Sequence, residues 1–217
     1  MQTDRPPRKA ALLAKYRDSD QLISLQLPGD NSFQDLARAI ELSMKEGVPA
    51  DVRQSSTRFL EAAADFYRVR RPQVRALAAR PLRVRESGWS TELFGDYTLG
   101  SAVIRIWTRT AVRKQITSFG TFFSTLCHEF CHHLDCERFG FSQPPHTRGF
   151  YQRTAILYHH ARSTPMKRLA WIRMPGGRWK IDWQRTKATE GNIPGDGRKL
   201  EASGADNGPS NNPDMSR

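Results

Sequence analysis

Apolar residues recur at three- and four-residue intervals at Phe119, Phe122, Phe123, Leu126, Phe130 and Leu134. At about 100° per residue they share roughly 120° of arc, so the spacing predicts a helix over 118–139 with one strongly apolar face. Gly140 is placed to end it. Phe33, Leu36, Ile40 and Met44 mark an earlier helix over 32–46, with Ser32 as its cap, Asp35 at the third helical position and Gly47 as its stop. Val52, Phe59, Leu60, Ala63, Phe66 and Tyr67 mark another over 51–70, stopped by Pro72. A fourth, over 147–161, carries Phe150, Thr154, Leu157 and Ala161 on one side.

Between the 51–70 and 118–139 stretches the period changes to two. Residues 82–85 alternate, 92–98 form a second candidate strand, and 102–108 is the clearest, with Val103, Ile104, Ile106 and Trp107 following a Gly100-Ser101 turn. The turns are short, which predicts antiparallel pairing. Near the end, Pro175-Gly176-Gly177 separates 170–173 from 179–183 and predicts a hairpin. No internal repeat is visible. The pattern implies an α+β fold, a small antiparallel or mixed sheet packed on helices.

Hydrophobic residues are 38% of 217, so one core forms only if part of the chain stays outside it. Residues 186–217 are rich in Gly, Asn, Asp, Ser and Pro and are expected to be a disordered tail. Arg5-Pro6-Pro7-Arg8-Lys9 makes 1–30 read as a basic N-terminal arm, leaving 31–185 as the folded domain. No apolar run is long enough to span a bilayer and no secretory signal is present. Cys127, Cys131 and Cys136 all lie on the predicted 118–139 helix, as expected of reduced thiols in a cytoplasmic protein. The net charge is +12, and arginines stand at 68, 70, 71, 75, 80, 83 and 85. That balance suits either a nucleic-acid partner or a merely solvated arginine-rich surface.

The chemistry concentrates in His128-Glu129-Phe130-Cys131-His132, an H-E-x-x-H motif. Side chains four apart on a helix project from the same side, so His128 and His132 can share one metal, and they lie opposite the apolar stripe. Glu129 is offset from them and can reach a water at the metal as general base. A catalytic zinc takes three protein ligands and leaves the fourth position open. His146, beyond Gly140 and Pro144-Pro145 and just before a predicted helix, is the candidate third ligand. Tyr151, Tyr158 and Arg148 are candidates to stabilise an oxyanion. His133 reads as a core-edge histidine. Asp135 reads equally as a carboxylate orienting a ligand imidazole or as plain surface charge. Cys127 and Cys131 read as small buried thiols. His159 and His160 read as imidazolium groups at a helix C-terminus, and Trp171, Trp179 and Trp183 as packing residues.

The stretch from about residue 82 to residue 158 resembles the SprT-like metallopeptidases, the Spartan group within the zincin-type folds. The matching elements are strands, a helix bearing His128-Glu129-x-x-His132, a short loop, and His146-x-x-x-Phe150. The resemblance implies zinc held by His128, His132 and His146, catalysis by Glu129, and a zincin-like domain with the motif helix at the active site. It also implies that an edge strand lines the cleft to receive an extended protein or peptide substrate. The paired cysteines of that family's common C-terminal zinc ribbon are missing, while the basic charge is compatible with its link to DNA-bound substrates. The competing reading is a basic nucleic-acid-binding protein whose zinc is structural; a hydrolase of non-peptide amides or esters also fits the motif.

Overall fold

Glycine and proline punctuate the chain where the apolar periodicity stops, and helices fill the intervals. The computed structural model describes residues 1–84 and 90–188. Its helices are α1 (Ala10–Gln21), α2 (Ser32–Glu46), α3 (Pro49–Tyr67), α4 (Phe119–Glu137) and α5 (Arg148–Ala161). The last four fall on the predicted stretches with ends shifted by less than a turn. Gly47 takes the left-handed conformation, φ 74°, that ends α2. Ser32 does not cap α2: Asn31 holds that position without a side-chain cap bond, and the Ser32 hydroxyl donates to Asp30 Oδ1. Ser118 does cap α4, accepting from the Thr121 N–H, and Thr147 caps α5, accepting from the Phe150 N–H.

The strands are β1 (Gln73–Ala79), β2 (Leu82–Val84), β3 (Ser90–Glu92), β4 (Gly95–Thr98), β5 (Val103–Arg109), β6 (Lys167–Arg168), β7 (Trp171–Met174), β8 (Arg178–Ile181) and β9 (Lys187–Ala188). β1, β5 and β4 form a mixed sheet in that order. Pairing of β4 with β5 is antiparallel, Gly95 opposite Ile106 and Tyr97 opposite Ile104. β1 pairs with β5 in parallel, Gln73 opposite Val103 and Leu77 opposite Trp107, so the sheet is the mixed one of the two expected forms, although the short turns pointed to antiparallel pairing. A parallel pair needs a long crossover, and the segment 80–102, carrying β2, β3 and β4, supplies it. β1 escaped the periodicity because its Ala-rich, partly exposed run carries little strand preference. The region 92–98 is split between β3 and β4. The alternation at 82–85 is β2 up to Val84; Arg85 lies outside the described residues. β7 and β8 form the predicted hairpin around Pro175–Gly177. The class is thus α+β, with five helices and a small mixed sheet among the described residues.

The core lies between the sheet and the helices. Phe33, Ile40, Phe59, Leu60, Ile104, Ile106, Phe122, Phe123, Leu126, Phe130, Phe150 and Leu157 are all within 1% of full burial. Edge-to-face contacts tie α2, α3 and α4 together through Phe33–Phe66 and Phe59–Phe123. Among the described residues no helix is long and apolar enough to cross a membrane.

Residues 1–30, expected as a basic arm, are built into this framework. α1 packs on α5 so closely that a Cβ on Gly149 would lie 2.1 Å from the Ser19 carbonyl oxygen. Met1–Asp4 run beside β8: the Thr3 N–H donates to the Trp179 carbonyl (2.7 Å), and the Ile181 N–H donates to the Met1 carbonyl (3.1 Å). Hydroxyls of Tyr151 and Tyr16 donate to the carbonyls of Gln2 and Asp4. Prolines and basic residues at 5–9 give the segment its arm-like composition, but backbone pairing needs no apolar side chains, so composition did not reveal it. The expected tail from 186 onward lies, from residue 189, outside the described residues.

Candidate metal centre

α4 carries His128 and His132 one turn apart, on the side away from the buried stripe of Phe122, Leu126 and Phe130. After α4, Gly140 adopts φ 70°, and Phe141 folds back so that its N–H donates to the Asp135 carbonyl at 2.8 Å. The buried Phe141 anchors this turn and sends the chain through Pro144-Pro145 back over α4. His146 therefore meets the other two. Its Nε2 lies 3.1 Å from Nε2 of His128 and 3.1 Å from Nε2 of His132.

Phe150 forms the floor beneath the three rings. It stacks on His132 at 4.4 Å between centroids and stands edge-on to His128 and His146, at 4.9 and 5.2 Å. This fully buried ring removes solvent from one side of the triad. Burial holds His128 down to a pKa of about 3, with the nearby His146 adding to the effect. Burial likewise holds His132 down to about 2, with His128, His146 and Arg153 adding. Both rings are therefore neutral near pH 7, the state that offers a lone pair to a metal.

The set fits zinc. Two imidazole nitrogens bound to one zinc at about 2.0–2.1 Å and a near-tetrahedral angle sit roughly 3.3–3.4 Å apart, close to the 3.1 Å separations here. The three ligand atoms all lie within 4.8 Å of one another. No fourth His, Cys, Asp or Glu joins the cluster among the described residues.

Glu129 lies one residue from His128 and lines the same cleft, of about 630 Å³, with Leu93, Phe94, Thr125 and Tyr158. Burial pushes its carboxyl up to about 8, and the charge of Asp96 adds to this. A second cleft, of about 470 Å³, opens beyond His132 and is lined by Tyr97, Leu99, Pro144 and Pro145. β4 passes between the two clefts. One edge of it pairs with β5, and no other strand pairs with it among the described residues. Gly95 brings β4 against α4: a Cβ there would lie 2.6 Å from Thr125 Cγ2 and 3.0 Å from Glu129 Cγ.

The remaining candidates have other tasks. Asp135 is neither a carboxylate behind a ligand nor surface charge. It is fully buried and takes two hydrogen bonds from Arg153, at 2.7 and 2.8 Å. His133 is a core histidine. Its Nε2 lies 2.6 Å from the Arg70 carbonyl, so it donates there, and Nδ1 accepts from the Tyr97 hydroxyl at 3.1 Å. That bond ties β4 to the motif helix. Cys127 and Cys131 are buried thiols, as expected. His159 is not an imidazolium. Burial, then the charges of Lys167 and Arg162, hold it down to about 4, and its Nδ1 pairs with the Thr164 hydroxyl at 2.8 Å. His160 packs against Phe33, and burial lowers its pKa as well.

Of the oxyanion candidates, Arg148 pairs with Asp20 and lies over Trp179, so its charge is committed elsewhere. Tyr151 and Tyr158 both line the larger cleft, though the Tyr151 hydroxyl donates to Gln2 and the Tyr158 oxygen accepts from Arg162. Trp171 packs near Tyr151, whereas Trp183 is exposed at the cleft wall.

Sequence reasoning missed four contributors: Gly95, Tyr97, the floor role of Phe150, and Asp4. The His146 N–H donates to Asp4 Oδ2 at 2.8 Å across a separation of 142 residues. No local pattern could have signalled that contact. Comparison of the chain with protein-family models, with curated proteins and with solved structures returns no match.

Proposed function

We propose that this chain is a zinc-dependent metallopeptidase of SprT-like type, with a zincin-like arrangement of its sheet and motif helix. The observation that carries the proposal is the meeting of three imidazole nitrogens in an open cleft that the carboxyl group of Glu129 also lines, the nitrogen of His146 standing 3.1 Å from each of the other two. His128, His132 and His146 hold the ion. Zinc, when bound, supplies Lewis acidity toward the substrate carbonyl, lowers the pKa of water at the site, and favours the carboxylate form of Glu129 against burial. Glu129 takes the proton of the attacking water and returns it to the leaving amine. β4, with one edge unpaired, offers an extended peptide main-chain hydrogen bonds as it crosses from one cleft to the other. The enclosed floor of Phe150 keeps competing water away from the ligand rings.

A structural zinc site is disfavoured by the three-nitrogen set, because such sites close with four protein ligands. The nucleic-acid partner draws on the net charge of +12. Part of the arginine-dense stretch is engaged internally, however: Arg70 pairs with Glu137, Arg71 with Asp65 and Arg80 with Glu92.

The test is zinc content per chain together with chelator-sensitive cleavage of an unfolded protein substrate. We expect one zinc per chain, cleavage lost to chelator and regained with zinc, and a Glu129→Gln variant that keeps zinc but loses at least about a hundredfold in rate. Cleavage by Glu129→Gln at the unaltered rate would remove the assigned base, and a chain that takes up no zinc would remove the proposal.

A further inference from the structure

We propose that Asp4 is a positioning residue of the metal centre, so that the N-terminal segment is a working part of the site. The inference rests on the reading of the triad as a zinc site. His128 and His132 are held by a helix, whereas His146 comes from a loop and needs its own support. Asp4 provides that support through three contacts. Asp4 Oδ2 accepts from the His146 N–H at 2.8 Å and lies 3.3 Å from His146 Nδ1, and the Asp4 N–H donates to the His146 carbonyl at 2.8 Å. With the carboxylate on the Nδ1 side of the ring, the lone pair of Nε2 is left to face the other two rings.

A ligand imidazole is oriented and made more basic when its second nitrogen faces a carboxylate, and loss of such a partner costs about 10–100-fold in metal affinity. His132 has no such help, since its Nδ1 is buried with no partner among the described residues. The carboxylate behind His146 thus gives one ring of the triad a charged partner that the Nδ1 of His132 lacks. Asp4 itself is held in place independently of that carboxylate. Tyr16 donates to its carbonyl, and the Thr3 N–H and hydroxyl oxygen pair with Trp179 of β8. Anchoring of the segment and polarisation of His146 are therefore separable functions.

The experiment uses the full chain with any tag at its C-terminal end, and reads zinc affinity by competition with a chromophoric chelator. Asp4→Ala is expected to weaken zinc binding by about 10–100-fold. Asp4→Asn, which keeps an acceptor for the backbone N–H but drops the charge, should fall between. Tyr16→Phe, which removes one anchor but no charge, should lose less than either. Cobalt-loaded Asp4→Asn should show shifted d–d bands, a change that loss of anchoring alone would not give. Should Asp4→Ala unfold at a lower temperature without metal, the Asp4→Asn affinity and cobalt spectrum decide. Zinc binding by Asp4→Asn equal to that of the unaltered chain, or an equal loss in Tyr16→Phe, would overturn the role of Asp4 while leaving the peptidase reading intact. An unaltered chain that binds no zinc would overturn both.

Discussion

Asp135 and Arg153 have no solvent with which to share their charges; both side chains are at most 1% exposed. Arg153 also donates to the carbonyls of Ser19 and Leu22, so one guanidinium joins the end of α1, the motif helix and α5. Burying such a pair yields little net stability, but removing one partner strands the other charge at a cost of about 3–5 kcal/mol. Arg153→Ala should therefore lower the melting temperature of the metal-free chain by roughly 6–20 °C, at about 2–4 °C per kcal/mol for a domain of this size. Adding Asp135→Leu to Arg153→Met should recover much of that loss. A drop under about 1 kcal/mol for Arg153→Ala, measured by thermal or urea unfolding, would contradict the buried-pair account. At this scale the sequence exposed the candidate ligand residues but not their supports. His128 and His132 are four apart on one helix, and chemistry follows from that spacing alone. Asp135 has the same helical phase as the ligands, yet a partner 18 residues away set its role.

At the scale of elements, the approach of β4 to α4 sets the shape of the larger cleft. Gly95 is required there by space, since its backbone conformation is ordinary and an added Cβ meets Thr125 and Glu129. The near contact is a branched side chain on a rigid helix, so relief comes by moving β4 or rotating Glu129. Gly95→Ala should cost about 1–3 kcal/mol in stability, as overpacking does. It should also lower peptidase turnover by about tenfold or more, since about 1.4 kcal/mol at the base is a factor of ten, with zinc affinity little changed. Thr125→Ser, which deletes the Cγ2 atom at 2.6 Å, should restore part of both losses in the double variant. Equal turnover of Gly95→Ala and the unaltered chain, at saturating substrate, would show that β4 has slack. The pattern of α2 to α5 was legible because each of these helices buries a stripe at its own period, whereas α1 buries only Tyr16 and Ser19 and left no such signal. The place of β1 in the sheet was not legible, because its parallel pairing with β5 depends on a crossover that no local signal announces.

For the whole molecule, segments far apart in the chain meet beside the site. The segment at Met1–Asp4 closes against β8, and α1 lies against α5 just past His146. The contact between α1 and α5 can be probed at Gly149. Alanine is a better helix former than glycine by about 1 kcal/mol. The added Cβ, however, would stand 2.1 Å from the Ser19 carbonyl and 2.8 Å from that of Leu22, both rigid backbone atoms. The steric term should win, leaving Gly149→Ala less stable by about 1–3 kcal/mol and weaker in zinc binding through displacement of Thr147 and His146. A stability gain on calorimetry would mean that α1 is loosely attached.

Sequence by itself determined the last four helices, most of the apolar core and the pairing of two histidines on one helix face, because periodicity and four-residue spacing are local properties that a helix turns directly into faces. α1, inside the stretch expected as a basic arm, carries only a weak apolar stripe and was not determined. Sequence also singled out His146, through a turn and a proline pair that could redirect the chain. Tertiary structure alone decided the parallel pairing of β1, the clamp of Asp4 on His146, the ion pair of Asp135, and the closeness of Gly95 to Glu129. Each of these depends on how folded elements meet, and hydrogen bonds, charge and excluded volume act only across the distance that folding leaves between them.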